Sequence, residues 1–183
     1  MLKKLALVVV AAALLAGCGS APGGEIAAQP EGQTELSASR VKDYTSLAEL
    51  RAESTAIIRA TVESSTRDKL KDLPVTISKV RVREVLWGKV PSDVLAVQQA
   101  GDETMQLHDT GEILAKDREY LLFVKPFELK PGEHTGRWLI TGDQGTFARS
   151  NDGSTFQFAG AGSPPELPRT FRATAVESGT FLN

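Results

Sequence analysis

The 183-residue sequence is poor in cysteine and histidine and carries no net positive charge, and each shortage excludes a class of protein. It contains one cysteine, Cys18, so the chain cannot form an intramolecular disulfide. It contains two histidines, and neither belongs to a His-Glu-x-x-His motif. Its formal charge of −2 gives no broad basic surface for nucleic acid. The stability of the fold must therefore come from a packed core.

The sequence also lacks an apolar segment long enough to cross a membrane. The apolar run from Leu5 to Leu15 falls short of the roughly 20 residues that a transmembrane helix needs. It follows Lys3 and Lys4 and leads into small residues, which is the arrangement of a secretory signal. We therefore predict a signal peptide over residues 1–17, and an ordinary cleaved signal beside a chance cysteine remains the alternative.

The end of this signal, Leu15-Ala16-Gly17-Cys18, resembles the lipobox of bacterial lipoproteins. The resemblance implies that Cys18 carries a diacylglycerol, that a peptidase cuts just before it, and that acyl chains such as palmitate anchor the mature protein to the extracytoplasmic face of the cell membrane. Two acyl chains hold a protein stably where one does not. Removing Lys3 and Lys4 with the signal changes the formal charge from −2 to −4.

The mature chain divides into a tether over residues 18–43 and a single domain over residues 44–183. The tether is rich in Gly, Ala, Ser, Pro, Gln and Glu, a composition that buries too little apolar surface to fold. As a flexible linker it would hold the domain on the order of 25–30 Å from the membrane. A terminal strand over residues 36–41 is the alternative for its last part.

The domain shows short strand patterns separated by turn signals. A helix is predicted over residues 45–53, because Ser46 and Glu49 have the spacing of a capping box. Residues 68–74 read as a charged connection, and residues 170–176 fit either a helix or a strand. Strands are predicted at residues 56–62, 75–86, 94–99, 119–124, 138–141, 145–149 and 154–158.

Within the longest of these strands the apolar alternation changes phase. Val75 and Ile77 are followed by Val80 and Val82, and strict alternation cannot shift in this way without a bulge. We expect that bulge near residues 78–79, where it would curve the strand around a small barrel. The predicted fold class is mainly β, a small antiparallel barrel with one or two short helices.

Five segments of the domain resemble a group of small secreted or lipid-anchored bacterial proteins of unassigned function, and the resemblance covers residues 45–146. It implies a barrel similar to the oligonucleotide/oligosaccharide-binding (OB) fold and brings no established activity. Residues 115–118 depart from the pattern, because a Gly turn is expected there. The matching segments are Ser46–Leu50, Ala56–Val62, Glu84–Gly88, Val97–Gly101 and Tyr120–Val124.

The polar loop between the third and fourth predicted strands could bind a divalent cation or form a solvated loop tip. Carboxylates and imidazole are ligands that divalent ions accept. Their spacing matches no metal motif, so the solvated tip is the preferred interpretation. The loop carries Asp102, Glu103, His108, Asp109 and Glu112, of which Asp102, His108 and Asp109 are the candidate ligands.

Two further sets of residues have a binding and a structural interpretation. Trp87 and Trp138 could form an aromatic platform for a ligand or cover the ends of the core. Arg59, Arg81 and Arg83 alternate with apolar residues, as on the solvent face of a half-buried sheet.

No nucleophile motif accompanies the two histidines, and His134 lies in a Pro-Gly turn sequence. The leading hypothesis is a non-enzymatic binding module of the cell envelope, without a cofactor. Its partner would be an envelope protein, a peptide or a glycan, in addition to the membrane that holds the anchor. A hydrolytic or metal-dependent enzyme using the loop over residues 102–112, or a purely structural envelope protein, are the alternatives.

Overall fold

The computed structural model describes residues 42–102, 111–160, 162 and 166–182. The predicted signal, Cys18 and nearly all of the tether lie outside these residues. No helix among the described residues is both long enough and apolar enough to cross a membrane.

The described chain is mainly β, as predicted, with eight strands in one sheet and two short α-helices. Two 3-10 turns, Thr141–Asp143 and Thr180–Leu182, complete the elements. The helices are α1 Leu47–Ala52 and α2 Ala173–Glu177, and the strands are β1 Ala56–Leu70, β2 Leu73–Gly88, β3 Val94–Ala100, β4 Glu119–Glu128, β5 His134–Ile140, β6 Thr146–Arg149, β7 Thr155–Phe158 and β8 Thr170–Arg172.

Helix α1 begins at the predicted cap. The Ser46 side chain accepts a hydrogen bond from the backbone N–H of Glu49 at 3.2 Å. The Glu49 carboxylate in turn accepts from the backbone N–H of Thr45 at 3.0 Å, one residue before the usual partner in a capping box. These bonds satisfy N–H groups at the start of the helix, and the bond from the Thr45 N–H lowers the pKa of the Glu49 carboxylate.

Strands β1 and β2 form a hairpin that is longer than predicted. The predicted connection over residues 68–74 is wrong, because β1 continues to Leu70 and β2 starts at Leu73. Only Lys71 and Asp72 connect them, and Lys71 takes the left-handed conformation with φ 57° that so short a turn requires. Residues 63–70 carry little apolar alternation, so their strand structure comes from pairing with β2.

Five strands close into a ring in the order β1-β2-β3-β5-β4, with β4 paired back to β1. The pairing of β3 with β5 is parallel, and the other pairs of the ring are antiparallel. This order is that of an OB-like barrel, which confirms the predicted fold class. Strands β6, β7 and β8 extend the sheet outward from β4.

The pairing of β1 with β2 shifts register at three places, and these shifts bend the hairpin around the ring. One shift lies opposite Ser78-Lys79, where the bulge is predicted, but its extra residue is Glu63 on β1. The predicted position along the hairpin is therefore right, and the predicted strand is wrong. The apolar alternation of β2 changes phase in the sequence, but the alternation of buried positions does not. In that alternation, the buried positions before Val80 are occupied by the polar residues Thr76 and Ser78.

Two apolar clusters lie on opposite faces of the sheet. The inner cluster fills the ring and is mostly aliphatic; its members include Ile58, Val80, Val97, Leu122 and Trp138. The outer cluster lies between the sheet and the two helices and is mostly aromatic; its members include Leu50, Phe123, Phe147, Phe156, Phe171 and Phe181.

Strand β4 joins the two clusters. Tyr120 and Leu122 point into the inner cluster, while Leu121 and Phe123 point into the outer one. All four are buried, so this strand is covered on both faces, in keeping with the nearly continuous apolar run of its sequence.

The last segment resolves the ambiguity of residues 170–176. It is a strand and then a helix, β8 followed directly by α2. Phe171 and Val176 anchor it in the outer cluster. The strands predicted at residues 145–149 and 154–158 are confirmed as β6 and β7, which form a hairpin with Gly153 at φ 72° in its turn.

Candidate binding sites

The two tryptophans that the sequence singles out lie in different environments. Trp138 on β5 is buried in the inner cluster, as the core interpretation predicts. Trp87, near the end of β2, is half-buried and packs on the outer cluster. They therefore do not form one aromatic platform, and only Trp87 can contact a ligand.

Trp87 forms one wall of an apolar groove, which we call the Trp87 groove. Its volume is about 240 Å³, and the other walls come from α1 and from the chain end at Leu182. The Arg51 guanidinium lies 5.2 Å from the centre of the Trp87 ring, a distance at which a cation is attracted to an aromatic face. The groove is lined by Leu47, Ala48, Arg51, Ala52, Trp87 and Leu182.

The position of the Trp87 groove follows from local structure. Gly88 has φ 77°, and a Cβ at this position would lie 2.1 Å from the carbonyl oxygen of Thr55. Only glycine lets the end of β2 approach the segment between α1 and β1 so closely. Trp87 is thereby held against the helix that forms the opposite wall.

A second concave region, which we call the polar cleft, lies between the β3–β4 connection and strands β6 and β7. Its volume is about 360 Å³. Glu112 and Arg118 form an ion pair of 3.7 Å at its edge, and Ala148 and Gln157 are register partners on one face of its floor. It is lined by Glu112, Arg118, Ala148, Gln157, Phe158, Ala159 and Gly160.

The two ends of the predicted acidic loop are structural in the described chain. Asp102 is buried, with a carboxylate oxygen 3.9 Å from Arg67. The backbone carbonyl of Glu112 accepts a hydrogen bond from the buried side chain of Gln99 at 2.9 Å. Among the described residues no group of three or more potential ligand side chains could hold a metal. Glu103, His108 and Asp109 lie outside the described residues.

His134 does not lie in a turn, as the sequence suggested, but is the first residue of β5. Its Nδ1 is 3.1 Å from the Glu128 carboxylate across the β4–β5 hairpin. The His134 side chain is 62% exposed and that of Glu128 is 36% exposed, so this contact is a surface pair at the start of a strand.

The interpretation of Arg59 as a solvent-face residue is wrong. Its side chain is 19% exposed and contacts three carboxylates: Glu84, Glu119 and Glu177. Arg149 contacts Glu119 at 2.7 Å and Glu177 at 3.3 Å. We call these five residues the arginine cluster; it ties β1, β2, β4 and β6 to helix α2.

The electrostatics of the arginine cluster are those of mutually satisfied charges. Three carboxylates surround two guanidinium groups, and the hydrogen bond that Arg149 donates to the Glu119 carboxylate raises the pKa of Arg149. Arg59 Nε lies 3.3 Å from Glu119 but makes no well-aligned hydrogen bond. The sequence does not reveal this cluster, because no local pattern relates its members. Arg59 and Glu177, for example, are separated by 118 positions.

Arg81 and Arg83 do lie on the solvent face, as predicted. Arg83 donates to the Thr61 hydroxyl at 3.1 Å, and Arg81 donates to the Glu63 carboxylate at 2.5 Å. Lys79 reaches the same carboxylate at 3.5 Å. Three cations on one strand thus share one face.

Together the ring, the two clusters and the two concave regions define the class of this domain, a small OB-like β-barrel with an aromatic outer layer. Comparison with protein-family models, with curated proteins and with solved structures found no match for the chain.

Proposed function

We propose that this protein is a membrane-anchored lipoprotein of the cell envelope whose β domain is a non-enzymatic binding module. The lipobox at Cys18 supports the anchor, and the Trp87 groove supports the binding role. The groove is the observation that carries the proposal. It combines an indole, apolar walls and a cation in one concave place where the end of β2 meets helix α1.

The chemistry of the groove favours a peptide or protein segment with an apolar side chain next to a carboxylate. The walls from Leu47, Ala52 and Leu182 would bury the apolar side chain. The Arg51 guanidinium, already oriented by its contact with Trp87, would pair with the carboxylate. Arg51 forms no ion pair within the described part of the chain, so its charge is available to such a ligand.

A peptide array tests this proposal directly. The full-length chain in neutral detergent would be applied to immobilised nine-residue peptides in which apolar and acidic positions vary independently. We expect retained peptides to share an apolar residue adjacent to an acidic one. Trp87→Ala should abolish retention, and Arg51→Gln should remove the preference for the acidic residue while retaining the apolar one.

The matched control is Trp138→Phe, which alters the other tryptophan without changing the groove. It should retain the same peptides as the natural chain. Equal retention by the natural chain and by both groove variants would contradict the proposed site. No retained peptide at all would contradict a peptide-binding role.

The anchor is testable separately in cells. Cys18→Ser removes the thiol that lipid would occupy, so labelled palmitate should no longer enter the protein. An uncut, mislocalised precursor should accumulate. Normal processing of Cys18→Ser to the mature size would show that an ordinary signal peptidase removes residues 1–17.

A further inference from the structure

A row of three cations along β2 forms a surface separate from the Trp87 groove, and we call it the basic row. Lys79, Arg81 and Arg83 are all exposed, with relative side-chain exposures of 59% for Lys79 and 47% for Arg81. Alternate residues of a strand lie about 7 Å apart on one face. The row therefore presents positive charges at a nearly regular spacing along one line.

Contacts with β1 show that the three side chains share this face despite the shift of register at Arg83. Arg83 donates to Thr61, which is the register partner of Arg81. Lys79 and Arg81 both contact Glu63. The Glu63 carboxylate thus contacts two of the three cations, and the row keeps two positive charges in excess of that carboxylate.

The Glu63 carboxylate stays ionised over the neutral range. The hydrogen bond from Arg81 and the nearby charge of Lys79 lower its pKa. Its negative charge therefore competes with any anionic ligand for Arg81 and Lys79.

The surroundings of the row favour a flexible anionic chain over a nucleic acid. The register partners on β3 are Val94 for Arg81 and Ala96 for Lys79, and those on β1 are Thr61 and Ser64. All four of these neighbouring side chains are short. Single-stranded nucleic acid is held by aromatic side chains that stack on its bases, and none of these four neighbours is aromatic.

We propose that the basic row binds a linear anionic glycopolymer of the cell envelope, whose acidic groups pair in succession with Arg83, Arg81 and Lys79. Such an interaction is driven by charge and by release of counterions, so it weakens steeply with salt. A lipid-anchored domain would thereby hold the surrounding polymer while its Trp87 groove remains open.

Binding of a defined heparin fragment, a sulfated polysaccharide, tests the row with the full-length chain in neutral detergent. Neutralising all three positions, as Lys79→Gln, Arg81→Gln and Arg83→Gln together, should lower affinity at least tenfold. A logarithmic plot of affinity against salt should have a slope of about −2 to −3 for the natural chain, because roughly one counterion is released per neutralised charge. Dextran, a neutral polysaccharide, should not bind.

Two further variants separate this proposal from loss of fold and from general charge. Glu63→Gln should raise affinity several-fold, because it frees Arg81 and Lys79, and a damaged fold cannot produce that gain. Lys71→Gln, Lys89→Gln and Lys116→Gln together remove the same charge from scattered exposed positions and should leave affinity unchanged.

Equal losses in the two triple variants would overturn the proposal, as would failure of the natural chain to bind heparin. Tighter binding of a single-stranded DNA oligonucleotide than of heparin would replace it with a nucleic-acid site. None of these outcomes depends on the peptide array, because the row shares no residue with the Trp87 groove.

Discussion

The inner and outer clusters are built from different side chains and by different parts of the sequence. Every strand of the ring contributes to the inner cluster, and its members are largely Val, Ile, Leu and Ala. The outer cluster contains five phenylalanines and draws on both helices and on strands outside the ring. The ring closes through backbone pairing, whereas the outer layer is held to it by the pairing of β6 with β4, by aromatic packing and by the arginine cluster.

This difference explains where the Trp87 groove lies. In the described part of the chain, the ring is filled by the mostly aliphatic side chains of the inner cluster. In the outer layer, elements that are distant in sequence pack against one another, and a groove can remain where they meet. The Trp87 groove lies at one such place, between the end of β2, helix α1 and the chain end.

The largest expected effect is the removal of the ring at the centre of the outer cluster. Phe147 is fully buried, and its ring centre lies 4.9 Å from that of Phe171, 5.5 Å from Phe158 and 6.2 Å from Phe123. Phe147→Ala should lower the free energy of unfolding by about 3–5 kcal/mol, as measured by urea denaturation. A loss below about 1 kcal/mol would mean that the outer layer contributes little to stability.

A double-mutant cycle sharpens the separation of the clusters. Phe171 and Phe181 have ring centres 5.1 Å apart, so their coupling should be about 0.5–1.5 kcal/mol. Leu95 in the inner cluster and Phe171 in the outer one share no cluster, and their substitutions should add within about 0.5 kcal/mol. Strong coupling between Leu95 and Phe171 would show that the two clusters act as one core.

The arginine cluster should contribute less than the aromatic rings. Glu177→Gln removes the carboxylate that joins Arg59 at 3.0 Å and Arg149 at 3.3 Å. Because the Glu177 side chain is 40% exposed, solvent screens these pairs and the expected loss is about 0.2–1 kcal/mol. Glu133→Gln, an exposed control with the same change of charge, should have no effect; an equal loss in both would assign the effect to net charge.

The smallest expected effect concerns pH. Hydrogen bonds from Ser150 and Ser154 lower the pKa of Asp152, in the β6–β7 turn, from 3.8 to about 2. Its contribution to stability is therefore complete above about pH 4 and is lost as the pH falls from about 4 to about 2.

Asp152→Asn should flatten that part of the dependence of unfolding free energy on pH and leave the region above pH 5 unchanged in slope. A mutant curve parallel to the natural one between pH 4 and pH 2 would contradict this role for Asp152.

Elements that are specified by a few neighbouring residues are predicted correctly from the sequence. The predictions are wrong where contacts between distant residues determine the structure. The cap at Ser46, the buried run of β4 and the β6–β7 turn each carry their information within a few residues. The second half of β1 has no apolar alternation and is a strand only through β2. Arg59 looked like a surface residue because its three carboxylate partners come from three other elements.

The candidate sites follow the same rule. Trp87 and Trp138 are both binding candidates from the sequence, because they are its only two tryptophans. The burial of Trp87 depends on a register between β1 and β2 that two bulges in β2 alter. The burial of Trp138 depends on the pairing of β5 with β3 and β4. No pattern in the sequence indicates the polar cleft. Arg118 and Gln157 come together only because β6 pairs with both β4 and β7.

The most direct test of binding at the Trp87 groove is the fluorescence of its own indole. Trp138→Phe leaves Trp87 as the only tryptophan, and Trp87→Phe leaves Trp138. Titration with a peptide selected on the array should change the emission of the Trp87 protein saturably and leave that of the Trp138 protein constant. A peptide that binds while the emission of Trp87 stays constant, or that changes both proteins equally, would contradict a ligand site at this groove.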